Sequence, residues 1–228
     1  MDKKITIAID GFSSTGKSTL AKQLAKQLGY VYVDTGAMYR AIAYFSMQNN
    51  YIKTDFLDKE ALIKSLPNIR LQFQFNADLG FAEMYLNGEN VEKQIRTIEV
   101  SNFVSKVAEI PEVRTKLVEQ QQQMGKNKGI VMDGRDIGTV VFPDAELKIF
   151  MTASAQTRAQ RRYDELIQKG DSVTFKEVLK NVEERDYIDT HRSNSPLVKA
   201  DDAVEVDNSD LTREEQFDLV LNLVKQKS

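Results

Sequence analysis

The chain has 228 residues, 41% hydrophobic and 29% charged, with a formal net charge of −3. That is length enough for one α/β domain with a good core, and the weakly negative balance offers no general basic field for DNA or RNA. With no cysteine there are no disulfides, thiolate metal sites or cysteine nucleophile; no signal peptide is legible, no apolar run nears the ~20 residues of a membrane span, and a cytoplasmic enzyme is expected.

In chain order, residues 5–9 read as a short buried strand. Gly11-Phe12-Ser13-Ser14-Thr15-Gly16-Lys17-Ser18 then fits G-x-x-x-x-G-K-[ST]. Leu20, Leu24 and Leu28, with Ala21 and Ala25 beside them, form a helix stripe. Strand, glycine turn and helix together are the context of a P-loop. Its glycines let backbone N–H groups converge on one anion at a helix N-terminus, Lys17 reaches the β- and γ-phosphates, and the Ser18 hydroxyl suits Mg²⁺. The expected ATP contacts are Gly11, Phe12, Ser13, Ser14, Thr15, Gly16, Lys17, Ser18 and Thr19.

Gly29 closes that helix, residues 30–33 form a second strand ending at Asp34, and a helix over about 37–48 completes a βαβα pattern of a parallel sheet. The pattern then breaks. Ile69, Leu71, Phe73 and Phe75 alternate with Arg70, Gln72 and Gln74, and strands at 81–86 and 89–91 flank the Asn87-Gly88 turn. Residues 63–95 therefore read as a small antiparallel insert. Helices follow at about 97–109 and 111–124, with Pro111 in a first turn and Gln120 to Gln123 as an exposed helix end. Further strands are expected at 129–133, 147–151 and 203–206, and a helix at 154–169. Capping boxes at Thr174…Glu177 and Thr212…Glu215 open the last two helices, the first running to about Thr190.

The arginines fall where a sheet enzyme would use them. Arg40 and Arg135 each lie just past a strand end, and ligands of open parallel sheets bind outside the carboxyl ends of the strands. Arg158, Arg161 and Arg162 share one helix face, either a solvated surface or a lid that closes on triphosphate. Arg185, Asp189 and Arg192, at i, i+4 and i+7, form either a surface ladder or a grip on a ribose phosphate. The lone His191 reads as a surface residue.

The chain resembles the bacterial-type cytidylate kinases nearly end to end, through IDGFSSTGKST, VDTGAMYRA, IRTIEVSNFVSKVAEIPEVR, MDGRDIGTVVFPDAELKIFMTAS and ERDYIDTHR. DTGAMYR together with DGRDIGTVVFPDA is close to diagnostic. The resemblance implies an α/β fold of the P-loop nucleoside-monophosphate kinase type: a five-stranded parallel sheet of order 2-3-1-4-5 with flanking helices, a small antiparallel insert and a helical lid. It divides a single kinase domain into a core (about 1–36, 98–153 and 171–228), a monophosphate-binding region (about 37–97) and the lid (about 154–170). It implies transfer of the γ-phosphoryl group of ATP to CMP or dCMP with Mg²⁺, by a monomer without nucleic-acid or membrane partners.

Carried over by position, the CMP contacts are Thr35, Arg40, Ser105, Arg114, Arg135, Asp136, Arg185, Asp189 and Arg192. Arg40, Arg135 and Arg192 would hold the phosphate, Ser105, Arg114 and Asp136 would read cytosine, and Arg185 with Asp189 the sugar. Lys17, Arg135, Arg158, Arg161 and Arg162 are the expected catalytic cations. The P-loop departs from the commonest family form at Phe12, where proline is usual, and at Ser14 and Thr15, where glycine and alanine are frequent.

Overall fold

A computed structural model describes residues 3–53, 56–78 and 80–227. In chain order its elements are β1 (Thr6–Gly11), α1 (Lys17–Leu28), β2 (Val31–Asp34), α2 (Thr35–Gln48), β3 (Ile52–Lys53), β4 (Phe56–Leu57) and α3 (Lys59–Ser65). There follow β5 (Leu71–Asn76), β6 (Phe81–Leu86), β7 (Glu89–Asn90), α4 (Ile98–Ala108), α5 (Pro111–Met124) and β8 (Ile130–Asp133). The chain ends with β9 (Leu147–Thr152), α6 (Ala155–Gln168), α7 (Phe175–His191), β10 (Val204–Asp207) and α8 (Arg213–Lys227). It divides into two compact units, residues 1–32 with 125–228, and residues 33–124.

The first unit is built on a five-stranded sheet of order β10-β9-β1-β8-β2. Counted among themselves along the chain, these strands read 2-3-1-4-5, as expected. β1 lies parallel to both neighbours, Ile7 opposite Val131 on one side and Leu147 on the other. A central strand is covered on both faces, and every residue of β1 is accordingly buried. The leucine stripe of α1 (Leu20, Leu24) packs with Ile5, Ile7 and Ile9, and α8 adds Val220 and Val224. A separate small core joins α6 to α7 through Ala159, Leu166, Val178 and Val182.

β1 runs two residues further than the buried strand expected over 5–9, through Asp10 and Gly11. Gly11 pairs with Met151 at φ 140°, and a Cβ there would lie 2.0 Å from the Met151 carbonyl oxygen. Only a residue without a side chain holds this register. Both capping boxes form: Thr174 Oγ1 accepts the Glu177 N–H at 3.3 Å and Thr212 Oγ1 that of Glu215 at 3.2 Å. A wide helical turn over Ile137–Val141 follows β8, which the sequence did not announce because five residues carry no period.

In the second unit, α2 (Met38, Ile42), α4 (Val100, Val104), α5 (Val113, Leu117) and the sheet β5-β6-β7 (Leu71, Met84, Leu86) share one apolar core. The insert strands are antiparallel, in register from Leu71 opposite Leu86 to Asn76 opposite Phe81. Three elements before them, β3, β4 and α3, went unread. β3 and β4 form a two-residue ladder, and α3, capped by Asp58 through the Ala61 N–H at 3.0 Å, is only seven residues long. Helix α2 starts at Thr35 rather than 37, because the Asp34 carboxylate caps it through the Ala37 N–H at 3.0 Å. The glutamine run is not wholly exposed either. Gln121 is buried on the inner face of α5 with its Nε2 3.7 Å from Met38 Sδ, so the helix stripe continues through a polar residue.

Candidate active site

The P-loop joins β1 to α1 in the first unit. Gly16 (φ 85°) is the left-handed N-cap of α1 and makes no side-chain cap bond, leaving the first-turn N–H groups for an anion. Ser14 also sits in the left-handed region, at φ 58°. Lys17 curls back over the loop, its Nζ donating to the Phe12 carbonyl at 2.5 Å and to Thr15 Oγ1 at 3.3 Å. Burial and the Arg135 charge push its pKa below the ordinary lysine value, against the pull of Asp133, Asp10 and Asp189. A bound polyphosphate would pull that pKa back up.

Asp133, the last residue of β8, faces this loop. The Ser18 hydroxyl donates to its Oδ2 at 2.9 Å and the Tyr32 hydroxyl to its Oδ1 at 2.8 Å. A hydroxyl and a carboxylate in contact are the hard oxygen donors Mg²⁺ prefers when it is shared with substrate phosphates. The residues present therefore fit the metal at Ser18, with Asp133 as a second donor that sequence reading noticed as a strand-end acid but did not assign.

The three arginines of α6 diverge. Arg158 is 4% exposed; it donates to Asp186 on α7 at 3.0 and 2.6 Å, to the Ala153 carbonyl at 2.9 Å and to the Ser13 carbonyl at 3.4 Å. Its guanidinium carbon lies 5.1 Å above the Phe12 ring, which also meets Phe150 edge-on at 6.0 Å. Arg161 donates to the Asn208 carbonyl at 2.8 Å and its Oδ1 at 3.0 Å, while Asn208 Nδ2 donates to the Thr15 carbonyl at 2.6 Å and to Gln216. Arg162 pairs with Glu165 at 3.0 Å on the surface of its own helix. Two of the three thus touch the P-loop or its support.

Past β8, Arg135 Nε donates to Asp189 Oδ2 at 2.8 Å. Burial works against the Arg135 charge, yet Asp189, Asp133 and Asp186 hold its pKa up. Burial likewise opposes the Asp189 carboxylate, and Arg135, Arg185 and Arg192 together keep its pKa low. Three arginines thus converge on one buried acid, and guanidinium groups so gathered can also bind a phosphate. Arg192 is buried and donates to the Ser195 carbonyl at 2.7 Å; Asp136 is buried beside Arg135 in sequence. His191 is exposed and stacks on Tyr187, ring centroids 4.2 Å apart.

The second unit holds the rest of the expected set. Arg40 NH2 lies 2.8 Å and Arg96 NH2 2.9 Å from Asp34 Oδ2, and Arg96 also pairs with Glu92 at 2.5 Å. Gly36 of the DTG motif leaves room for this arrangement: a Cβ there would lie 2.8 Å from Arg40 Nη1, and the guanidinium would have to shift. Thr35 and Ser105 are buried polar residues of α2 and α4. Arg114 is 2% exposed, donates to the Ala108 carbonyl at 3.1 Å and lies 5.6 Å from the Tyr39 ring centre.

Sequence reading missed Asp10, Asp133, Asp186, Asn208 and Arg96. A buried strand ending in an acid, opposite a P-loop, is a usable signal for Asp133. Asn208 had none, since the Thr15 it supports is 193 residues away.

A family model described as cytidylate kinase matches residues 7–226. The chain belongs to the cytidylate kinase family. It is 80% identical to a cytidylate kinase of Flavobacterium johnsoniae over 222 residues, 97% of this chain and 96% of the relative. It is 58% identical to a cytidylate kinase of Bacteroides thetaiotaomicron, over 94% of this chain and 93% of the relative. Among solved structures, an uncharacterized protein from Eubacterium ventriosum is 12% identical with TM-score 0.51, covering 98% of this chain and 99% of that one. At that identity the likeness concerns the fold alone. Among the described residues no helix is long and apolar enough to cross a membrane.

Proposed function

We infer that the chain transfers the γ-phosphoryl group of ATP to CMP and dCMP, giving ADP and CDP or dCDP, in pyrimidine nucleotide metabolism. The observation that carries this reading is the P-loop at the carboxyl end of β1, beside the arginine cluster that follows β8. One binds a triphosphate; the other is an anion site without a nucleophilic side chain. The Asp133–Ser18 pair would hold Mg²⁺, which when bound draws charge from the triphosphate.

In the transfer, an oxygen of the CMP phosphate attacks the γ-phosphorus while the bond to the β-phosphate oxygen breaks, its electron pair leaving with ADP. The attacking oxygen is already anionic, so no general base is needed. The difficulty is repulsion between two anions, which preorganised cations relieve. Lys17 serves the β- and γ-phosphates, with Arg158 and Arg161 beside the P-loop and Arg162 at the lid surface. The ATP contacts are Gly11 to Thr19.

For the acceptor we assign Arg40, Arg135 and Arg192 to the phosphate, Arg185 and Asp189 to the sugar, Thr35 to the same pocket, and Ser105, Arg114 and Asp136 to the base. Hydrogen-bond polarity supports the last group. An ionised carboxylate only accepts, so Asp136 suits the cytosine N4 amino group; a guanidinium only donates, so Arg114 suits N3 or O2. Residues 154–170 act as the lid, 37–97 as the monophosphate-binding region and the remainder as the core, in a cytoplasmic monomer. A coupled assay with ATP against CMP, dCMP, UMP, AMP, GMP and shikimate tests the assignment. Turnover greatest with CMP or dCMP is expected; faster turnover of any other acceptor overturns it.

A further inference from the structure

The loop that follows β8 carries Arg135 and Asp136, and β1 fastens it on both sides of that pair. Before the pair, the Gly134 N–H donates to the Ile9 carbonyl at 3.0 Å. After it, the Ile137 N–H donates to Asp10 Oδ1 at 2.8 Å and the Gly138 N–H to Asp10 Oδ2 at 2.7 Å. Asp10 uses both carboxylate oxygens on backbone amides, is 5% exposed, and is followed directly by Gly11 of the P-loop.

We propose that Asp10 is a positioning residue for acceptor binding: it holds the 134–138 loop so that Arg135 and Asp136 meet CMP in fixed register with the P-loop. The proposal rests on the assignment of those two residues to the acceptor. Three features of the structure favour a built device over incidental satisfaction of two amides. The bonded amides are consecutive, so the carboxylate fixes a peptide orientation and not merely one donor. Asp136 is flanked in the chain by these anchors, and its own carbonyl accepts the Val140 and Val141 N–H groups at 2.9 and 3.2 Å, leaving the loop little freedom. Gly138 completes the fit, since a Cβ there would lie 3.3 Å from Asp10 Oδ2 and 3.2 Å from Lys148 Cδ.

The cost of the arrangement is also visible. Burial pushes the Asp10 carboxyl up to about 7, helped by the nearby Asp136 charge and opposed by the two amides and Lys17.

The test separates acceptor from donor kinetics. Asp10→Ala is expected to raise KM for CMP about 10-fold or more, the effect of releasing the two loop amides, with KM for ATP changed less than about 2-fold. Asp10→Asn, which keeps one acceptor, should fall between this and wild type. Should Asp10→Ala not fold, Gly138→Ala decides, because it disturbs the same contact while leaving the carboxylate; it should show the same CMP-selective rise. If melting temperature falls while both KM values hold, or if both rise together, Asp10 is only a structural residue and the proposal is overturned. Asp136→Ala serves as the separate control. An unchanged CMP/UMP ratio there defeats base reading by Asp136, while a CMP-selective effect of Asp10→Ala would still stand through Arg135.

Discussion

Arg158 and Asp186 form a two-pronged ion pair between α6 and α7, at 3.0 and 2.6 Å, with the arginine 4% exposed. The same guanidinium lies over Phe12 and reaches the Ser13 carbonyl, so a contact between two helices also bears on the P-loop. Removing one partner of a buried pair leaves the other charge uncompensated, which costs about 3–5 kcal/mol. Arg158→Ala and Asp186→Ala should therefore lower both melting temperature and kcat, whereas Arg162→Ala, whose partner is the half-exposed Glu165, should leave melting temperature nearly unchanged. Thermal denaturation beside steady-state kinetics checks this. A fully stable Arg158→Ala protein would contradict it.

Lys17→Ala should reduce kcat by about 10²–10³, the usual effect of removing a preorganised charge stabiliser. The fold should persist, because the Lys17 hydrogen bonds go to Phe12 and Thr15 of its own loop. Near wild-type turnover in a folded Lys17→Ala protein would remove the P-loop from the mechanism.

Asp34 and Asp10 should respond to pH with opposite signs. Burial opposes the Asp34 carboxylate, but Arg40 and Arg96 keep its pKa far below the usual 3.8. Its stabilising contribution is present above pH 3.8 and is lost as pH falls toward the folded value. Asp10, raised from 3.8 to about 7, contributes fully below 3.8 and loses that contribution as pH rises through about 7. Urea unfolding between about pH 3 and pH 8 should show Asp34→Asn most damaging at neutral pH, with the gap to wild type narrowing in acid. Relative to wild type, Asp10→Asn should be most damaging in acid and improve toward pH 7. Gaps that do not vary with pH would show that neither carboxyl is perturbed.

Base choice gives the sharpest kinetic expectation. On the proposed assignment of the base contacts, uracil would set O4 against Asp136 and N3–H against Arg114, and an unpaired buried polar group costs about 1–3 kcal/mol. In Asp136→Ala the ratio of kcat/KM for CMP to that for UMP should fall toward one, mainly through loss of CMP. Equal losses on both substrates would assign Asp136 to loop structure instead.

The sheet and the P-loop were legible because they rest on local rules: apolar runs, a glycine spacing, capping boxes. Arg135 and Asp189 were also found in sequence, but as separate features of a strand end and a helix face. That they bond each other across 54 positions is a fact of topology. Arg158, Arg161 and Arg162 show the limit most plainly. Helical spacing put them on one face, yet the partners that direct them, Asp186, Asn208 and Glu165, lie on three different segments. Gln121 was read as exposed from its polarity, and a methionine across the core receives it instead. Short elements such as α3 escaped because seven residues do not complete a readable period.

Gly11 sets limits on how this enzyme's nucleotide loop can change. The backbone of Met151 occupies the space a side chain would need at that position, and no rotamer change can clear it. Positions 12, 14 and 15 are differently placed: Phe12 meets the Arg158 and Phe150 side chains, Ser14 is partly exposed, and Thr15 Oγ1 meets the flexible Lys17. Change in the loop is thereby channelled: the Phe12 ring sits among the movable side chains of Arg158 and Phe150, while the residue before it has no alternative. A saturation library across residues 11–16 should return active variants at 12, 14 and 15 and essentially none at 11.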